Sequence, residues 1–334
     1  MKKVLILEPY NAQSFSISRF IKRYSDYYIV AHVENQSTHA NLINNNSYFD
    51  SFSKREIDQN YLSKFDYIFP GGAASTELLI NLLGEIKLGN IRFDKNSLKA
   101  YDKILMFRIC EELSIPYPLT YTSLEQSVPI PFFYKQKNEY VEGKGKYRGI
   151  VKSKKGKSQL KSPEDLIFQE YIPGYSTYSY TFLADKGEVL TEFMFEEKFS
   201  QPISGGNGVL LEKIEDSRLK ALSLNLIKKL DYSGWGMVEF KYCKKREDYV
   251  FMELNSKFWA SIEFAIMNNN QFMKLLFDID HPRENVRSVI FIHRLLNLFC
   301  FKYIKFLPEI LKAKKISHGW KKNYYSFFRK YLKP

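Results

Sequence analysis

Short apolar runs alternate with segments of helical spacing over residues 1–95. The strand-length runs are Val4–Leu7, Tyr28–Val33 and Phe65–Phe69, and the helical segments are Ser14–Arg23 and Glu77–Leu83. Strands that alternate with helices form a parallel, doubly wound sheet, which binds ligands at the carboxyl ends of its strands. The pattern therefore predicts one such domain. The Pro-Gly-Gly turn at 70–72 lies at that end of the sheet, although two adjacent glycines alone are more typical of a tight turn.

From residue 96 onward the pattern changes to hairpins and single helices. The predicted elements are a helix over Ser97–Leu113, the strands PFFYK (131–135) and FQEYI (168–172), a hairpin over 177–195 that turns at Asp185-Lys186-Gly187, a helix over 216–230, and a hairpin of WGMVEFKY (235–242) and YVFMELN (249–255). These hairpins predict antiparallel pairing in this part of the chain.

The last of these hairpins carries candidate chemistry. If its midpoint is near Arg246, Glu239 lies opposite Glu253, with Asn255 two residues further along the same face. Opposed carboxylates are destabilising unless a cation lies between them, and carboxylate and amide oxygens suit Mg²⁺ or Mn²⁺. The alternative is a solvated hairpin edge with two ordinary acids. The apolar residues around these positions favour a buried hairpin and therefore the metal site.

The composition bounds the class of protein. The chain has 334 residues, of which 45% are hydrophobic, enough for two or three domains with their own cores. Its three cysteines show no metal-binding spacing, and no Ser/His/Asp or Cys/His set suggests a nucleophilic catalyst. The N-terminal apolar run ends at Glu8 and is too short for a signal peptide. We therefore predict a cytoplasmic protein.

The positive charge is concentrated in the last tenth of the chain. The net charge is +13, and residues 302–334 hold ten Lys/Arg residues against one acid, Glu309. Before them, residues 286–311 place apolar residues at helical spacing, in a run too short to span a bilayer. We expect a C-terminal helix packed on the body of the protein. The basic and aromatic residues after it favour an anionic membrane surface, ahead of a solvated helix face and of nucleic-acid binding.

Several motifs resemble one known superfamily. VEFK (238–241) followed by FMELNSKFWAS (251–261) resembles the metal-binding end of the ATP-grasp superfamily, and QEYIPG with the SGG run resembles its carboxylate–amine ligase branch. The resemblance covers roughly residues 1–275. It implies an α/β fold, α+β in the ATP-binding part. The implied segments are a Rossmann-like domain (1–95), a small ATP-clamping subdomain with a phosphate flap (96–175), a large one with the metal-binding hairpin (176–280) and a basic, aromatic helical tail (281–334).

The resemblance also implies cofactors and site residues. The cofactors are ATP and Mg²⁺ (or Mn²⁺), with the metal held by Glu239, Glu253 and Asn255. The implied nucleotide contacts are Lys103 and Lys135 at the phosphates, Gly143 and Gly145 in the flap, Glu170 near the ribose or adenine amine, and the backbone of Tyr171 and Ile172 at the adenine edge. The implied acceptor contacts are Ser204, Gly205, Gly206 and Lys257. Lys257 stands where many relatives carry arginine, and the segment at 204–206 is equally typical of a glycine-rich turn.

The leading hypothesis is an ATP-dependent ligase that joins a carboxylate to an amine through an acyl-phosphate. Its substrates would be small-molecule or glycan-linked, in cell-surface glycan or specialised-metabolite synthesis, with the tail on the inner membrane face and no nucleic acid involved. A kinase of the same fold would stop at phosphoryl transfer. A nucleotide-binding, membrane-associated assembly protein would bind ATP with little turnover. The sequence indicates neither the two substrates nor an oligomeric state.

Overall fold

The computed structural model of the chain describes residues 1–33, 48–124, 127–138, 147–160, 165–174, 176–201, 206–295 and 305–317. Within these ranges the strands form three sheets of four or more strands and one two-stranded hairpin. One continuous apolar core joins the first sheet to the largest one. The remaining sheet has a separate apolar cluster that includes Phe132 and Phe168. Two bodies with their own cores therefore meet in this chain.

The N-terminal sheet consists of four parallel strands in the order β3-β2-β1-β4. Val4, Leu5 and Ile6 are all fully buried, as expected for a parallel strand that is covered on both faces. The predicted parallel sheet is therefore confirmed. The strands are β1 (Lys3–Leu7), β2 (Tyr28–His32), β3 (Ser51–Ser53) and β4 (Tyr67–Pro70), followed by the antiparallel hairpin β5 (Glu85–Leu88) and β6 (Ile91–Asp94).

The small sheet has four strands in the order β7-β10-β8-β9, and all its pairings are antiparallel. The predicted strand at 168–172 begins and ends two residues earlier, so the backbone of Tyr171 and Ile172 lies beyond the ladder. The strands are β7 (Thr120–Tyr121), β8 (Phe132–Gln136), β9 (Arg148–Val151) and β10 (Leu166–Glu170).

The large sheet has seven strands in the order β15-β14-β11-β12-β13-β16-β17. The predicted hairpin over 177–195 is confirmed, and its turn places Lys186 and Gly187 at φ of 47° and 77°. Two residues with positive φ make a type I′ turn, and glycine adopts the second without strain. The strands are β11 (Thr177–Asp185), β12 (Glu188–Gln201), β13 (Asn207–Lys213), β14 (Gly234–Cys243), β15 (Asp248–Asn255), β16 (Ser288–Phe291) and β17 (Lys314–Ile316).

Helices cover the sheets and connect the N-terminal sheet to the large one. Arg19 and Ser16 on α1 both contact the fully buried carboxylate of Glu263 on α7, which fixes the N-terminal sheet against the large one. The helices are α1 (Ala12–Tyr24), α2 (Gln59–Leu62), α3 (Ala73–Leu83), α4 (Lys103–Glu112), α5 (Lys154–Gln159), α6 (Ser217–Lys229), α7 (Ile262–Asn268), α8 (Gln271–Phe277), α9 (Ile292–Leu295) and α10 (Leu307–Lys312).

The helix predicted over Ser97–Leu113 is interrupted. A 3-10 helix over Lys95–Tyr101 precedes α4, and Asp102 between them has an extended backbone. The Asp102 carboxylate accepts hydrogen bonds from the backbone N–H groups of Ile104 (2.9 Å) and Leu105 (3.1 Å). Aspartate favours this N-cap position over a helix interior, because it satisfies backbone donors that have no partner within the helix.

The prediction of a helical C-terminal tail is wrong for much of its described part. Residues 288–291 form β16 and residues 314–316 form β17, with only the short helices α9 and α10 beside them. β16 pairs antiparallel with β13, whose edge would otherwise leave backbone groups unpaired. Val289, Ile290 and Phe291 are at most 1% exposed. Such β-branched and aromatic residues suit a strand that is buried on both faces.

None of the helices in the described ranges is long and apolar enough to cross a membrane.

Candidate functional site

A cavity of about 610 Å³ lies between the three larger sheets. The N-terminal sheet contributes residues at the carboxyl ends of β1 and β4, including Glu8 and Gly72. The small sheet contributes β8, β9 and the segment after β10. The large sheet contributes polar residues of β12, β14 and β15 together with the segments that follow β15 and β16. The cavity therefore collects polar groups from all three sheets.

The β14–β15 hairpin places the three predicted metal ligands together on the cavity wall. Glu239 lies directly opposite Glu253, as predicted. A β-bulge just after Glu239 shifts the remaining pairs by one residue. Asn255 Nδ2 donates to Glu239 Oε2 at 2.7 Å and to Glu253 Oε1 at 3.3 Å. The three side chains therefore form one hydrogen-bonded group.

The electrostatics of this group fit a divalent cation. Burial, then the Glu253 carboxylate, raises the pKa of Glu239 well above its usual value. A cation between the carboxylates would reverse that shift. Turning the Asn255 amide over would present Oδ1 beside them, so that all three side chains offer the hard oxygen donors that Mg²⁺ or Mn²⁺ prefers. Among the described residues no three His, Cys, Asp or Glu side chains converge on one metal position. Phosphate or water oxygens would have to complete the shell.

Two lysines lie next to the group formed by Glu239, Glu253 and Asn255. Lys135, at the end of the predicted strand PFFYK, is 7% exposed and donates from Nζ to the Met252 carbonyl at 3.0 Å. Its Nζ also lies 3.7 Å from Glu253 Oε2. Lys257 Nζ donates to Asn255 Oδ1 at 2.9 Å. Lys135 therefore brings a cation from the small sheet to the hairpin of the large one.

Lys103 is placed differently from Lys135. It is buried at the first position of α4, where its backbone N–H donates to the Lys137 carbonyl at 3.1 Å. It does not belong to the residues that line the cavity. A phosphate contact by Lys103 stays a prediction.

The segment predicted to meet adenine also lines the cavity. Glu170, Tyr171 and Ile172 follow one another along its wall, and Ile172 is only 3% exposed. The Glu170 carboxylate forms an ion pair with Arg246, which also donates to the Tyr117 carbonyl at 3.0 Å. One oxygen of Glu170 is therefore already engaged by the protein.

The two predicted glycine-rich segments lie only partly within the described residues. Gly206 lines the cavity, whereas Ser204 and Gly205 lie outside the described residues, as do Gly143 and Gly145 of the predicted flap. The Pro-Gly-Gly turn joins the site through Gly72. Beside it, Glu8 Oε2 accepts hydrogen bonds from the backbone N–H of Ser75 (3.0 Å) and from its hydroxyl (2.6 Å).

Further charged residues that the sequence did not predict in the site also line the cavity, among them Glu197, Lys241 and Arg294. Burial raises the pKa of Glu197 to about 8. Burial lowers the pKa of Lys241, whose Nζ donates to the Gly174 carbonyl at 2.8 Å. Lys241 could have been found from its position two residues after Glu239, on the same face of the strand. Arg294 gave no such signal, because its segment was assigned to a helix.

Comparisons with known proteins agree on the architecture. No protein-family model matches the sequence, and no curated protein is similar to it. The chain is similar to the β,γ-ATP complex of biotin carboxylase from Campylobacter jejuni, with 15% identity, a TM-score of 0.58, and coverage of 85% of this chain and 72% of that one. It is also similar to a putative ATP-grasp superfamily protein from Archaeoglobus fulgidus, with 15% identity, a TM-score of 0.56, and coverage of 87% and 92%.

A third similar structure is carboxyaminoimidazole ribonucleotide synthase from Aspergillus clavatus complexed with ATP, with 15% identity, a TM-score of 0.55, and coverage of 85% and 78%. Identities this low establish the fold alone. The chain has the ATP-grasp fold, with a parallel N-terminal sheet followed by a small and a large antiparallel sheet.

Proposed function

We propose that this chain is an ATP- and Mg²⁺-dependent ligase that joins a carboxylate to an amine. The observation that carries the proposal is the hairpin group of Glu239, Glu253 and Asn255, which meets Lys135 inside the cavity of an ATP-grasp fold. Two of the similar structures are enzymes in complex with ATP or β,γ-ATP, which supports nucleotide binding at this place.

The residues divide the work of positioning and neutralising charge, which is most of what phosphoryl transfer requires. Glu239, Glu253 and Asn255 would hold Mg²⁺, which supplies positive charge at the phosphates. Lys135 would neutralise phosphate oxygens from the opposite sheet. The backbone after β10 would meet the adenine edge, with Ile172 packing on the ring. The Gly143–Gly145 flap and Lys103 would complete the phosphate contacts, and Lys257 with Ser204–Gly206 would face the acceptor.

The proposed reaction has two balanced steps. A substrate carboxylate oxygen attacks the γ-phosphorus as the bond to ADP breaks, which gives an acyl-phosphate and ADP. The amine nitrogen then attacks the acyl carbon, the bond to phosphate breaks, and the amine loses a proton to give the amide. No side-chain nucleophile is needed, which agrees with a sequence that offers no Ser/His/Asp or Cys/His set typical of nucleophilic catalysis.

ADP release from the full-length protein tests the proposal. With MgATP and mixtures of carboxylic acids and amines, we expect sustained release only when both classes are present. Sustained release with one acceptor alone would instead indicate a kinase. Binding of MgATP without release in any mixture would favour the low-turnover assembly protein. The Glu253→Ala variant is the matched control for contaminating ATPase.

We further propose that the C-terminal segment 302–334 contacts an anionic membrane surface. One side of α10 packs on the large sheet through Ile310, in the cluster that holds Phe199 and Ile290. Leu307 and Leu311, one turn apart on α10, are 51% and 70% exposed, with several lysines nearby in sequence. Such a stripe of apolar residues among cations is typical of a helix at a lipid interface. A ligase held there would suit substrates of cell-surface glycan or specialised-metabolite synthesis.

Truncation after Ser317 tests the membrane contact and leaves α10 in place. It removes five cations, each of which contributes about 1 kcal/mol near an anionic surface, so affinity for phosphatidylserine vesicles should fall by roughly a thousandfold or more. Neutral phosphatidylcholine vesicles and high salt are the controls. Equal sedimentation of full-length and truncated protein with both kinds of vesicle would show that the segment does not bind membranes.

A further inference from the structure

Two buried side chains of opposite charge in the cavity, Glu197 and Arg294, act on each other electrostatically but form no direct ion pair with any described residue. Within the described ranges, no side-chain cation lies within 4.0 Å of the Glu197 carboxylate, and no carboxylate lies within 4.0 Å of the Arg294 guanidinium. Glu197 is 9% exposed and Arg294 is 7% exposed, and both line the cavity. Charges this deeply buried are normally paired, because desolvation is costly. These two groups therefore need an explanation that the nucleotide site does not give.

Glu197 is held on the cavity wall by the strands beside it. It lies on β12, opposite Thr177 of β11, and Gly208 of β13 leaves the space that its carboxylate occupies. A Cβ atom at Gly208 would be 2.4 Å from Glu197 Oε2. The raised pKa of Glu197 shows that the nearby cations, Arg294 first among them, do not offset its burial. Its charged form would gain from a further cation inside the cavity.

Hydrogen bonds hold the Arg294 side chain in place, but no carboxylate among the described residues forms an ion pair with it. Its guanidinium donates to the Gly208 carbonyl and, at 3.2 Å, to the Ala260 carbonyl. It also lies 4.0 Å from the centroid of the Phe291 ring. These contacts use two carbonyls and an aromatic face, so N–H groups of the guanidinium remain for a ligand. A rigid guanidinium in a cavity wall suits two-point recognition of a carboxylate.

The metal hairpin does not account for this pair. β12 is separated from β14 by β11, and among the described residues Glu197, Glu239 and Glu253 do not converge on one metal position. Arg294 contacts the segments at Gly208 and Ala260, next to Gly206 and the predicted acceptor run, rather than Lys135. Arg294 therefore lies beside the predicted acceptor run, and Glu197, next to Gly208, faces both this end of the cavity and Lys241 of the hairpin.

We propose that Glu197 and Arg294 bind the two charges of a zwitterionic amine substrate, a free amino acid, with its ammonium group at Glu197 and its carboxylate at Arg294. The proposal rests on the ligase function above and names the chemical class of its amine. Both groups approach Gly208, so they lie near one another and yet beyond 4.0 Å. A small zwitterion, whose own charges lie close together, would bridge them and neutralise both.

Ligand-induced stabilisation of the full-length protein tests this subsite. With MgADP present, the probes are the standard L-amino acids and D-alanine, each compared with the amine that lacks its carboxylate and the acid that lacks its amine. We expect at least one amino acid to raise the melting temperature, and neither matched amine nor acid to do so. Glu197→Gln and Arg294→Lys should each weaken that amino acid roughly 10-fold or more, the cost of removing one partner of a buried charged pair.

The controls are matched by position. Glu196→Gln changes the neighbouring strand residue, whose side chain points to the opposite face, and Arg287→Lys changes a side chain that is 87% exposed just before β16. Both should bind amino acids as the unchanged protein does. MgATP affinity, measured by calorimetry, should be the same in all four variants, which shows that the site remains folded.

Two results would overturn the subsite and leave the ligase intact. One is equal amino-acid binding by the unchanged protein and the isosteric Glu197→Gln variant. The other is MgATP binding with no stabilisation by any amino acid. A failure of the unchanged protein to bind MgATP would contradict the proposed function itself, so the two failures can be told apart.

Discussion

The charged side chains at the two ends of the cavity differ in how they are paired. At the hairpin end, Glu239, Glu253 and Asn255 come from two strands joined by a short turn, and they bond to one another and to lysines. At the other end, Glu197 and Arg294 come from distant parts of the chain and line the cavity without a direct ion pair to any described residue. We interpret the first end as prepared for a constant ligand, the metal-bound nucleotide. We propose that a substrate completes the second end.

The largest effect should come from the hairpin end. Glu253→Ala removes half of the opposed carboxylate pair, so Mg²⁺-dependent ADP release should fall by roughly 100-fold or more, as is typical when a metal site loses a ligand. The melting temperature without ligand should not fall, because the repulsion on Glu239 is relieved. Glu188→Ala, at an exposed position of β12, is the control. Full activity in Glu253→Ala would show that the hairpin holds no metal ion that the reaction needs.

The phosphate contact should give the next largest effect. Lys135→Ala removes a buried cation that reaches across to the hairpin, so MgATP affinity measured by calorimetry should fall by roughly 10-fold or more. Lys137→Ala is the matched control two residues away, outside the cavity lining. Equal affinities in the two variants would show that Lys135 does not meet the phosphates.

Glu197→Gln should change how the stability of the ligand-free protein depends on pH. The folded pKa of Glu197, about 8, is above its unfolded value, so the folded state binds a proton that the unfolded state has released. Glu197 therefore lowers the free energy of unfolding as pH rises from about 4.5 to about 8. At about pH 8.5 the variant should melt a few degrees higher than the unchanged protein, whereas at about pH 4 the two should melt alike. Identical curves at both pH values would contradict the burial of an unpaired carboxylate.

The smallest effect should come from Glu170→Gln. Its carboxylate is paired with Arg246 and accepts the Leu119 N–H at 3.3 Å, so it is held by the protein before a nucleotide arrives. We expect MgATP affinity to fall by about threefold or less, because the backbone after β10 would carry the adenine contact and Glu170 is already engaged by Arg246. A loss as large as that of Lys135→Ala would show that Glu170 contacts the nucleotide directly.

The hairpin end could be predicted from the sequence because its geometry is local. A short turn sets the register of two neighbouring strands, so Glu239 and Glu253 had to face each other. The bulge after Glu239 was not visible in the pattern, but it leaves the Glu239–Glu253 pair in register. Lys135 was predicted from its position in a motif, whereas its contact with Met252 depends on how two sheets meet.

The other end of the cavity could not be predicted in the same way. Residues 288–291 fit helical spacing and became a strand because β13, far away in sequence, offers an edge for pairing. Arg294 reaches the cavity only as a result of that pairing. Lys103 shows the opposite case: a plausible basic residue by motif whose position is fixed by the cap at Asp102, outside the cavity lining.

A crystal structure of the full-length protein with Mg²⁺ and a non-hydrolysable ATP analogue would test the nucleotide site most directly. We expect metal between Glu239 and Glu253, with the Asn255 amide turned so that Oδ1 faces the ion. We also expect Lys135 on a phosphate and adenine against Ile172. A nucleotide bound elsewhere, or bound here with no metal at the two carboxylates, would contradict the proposed site.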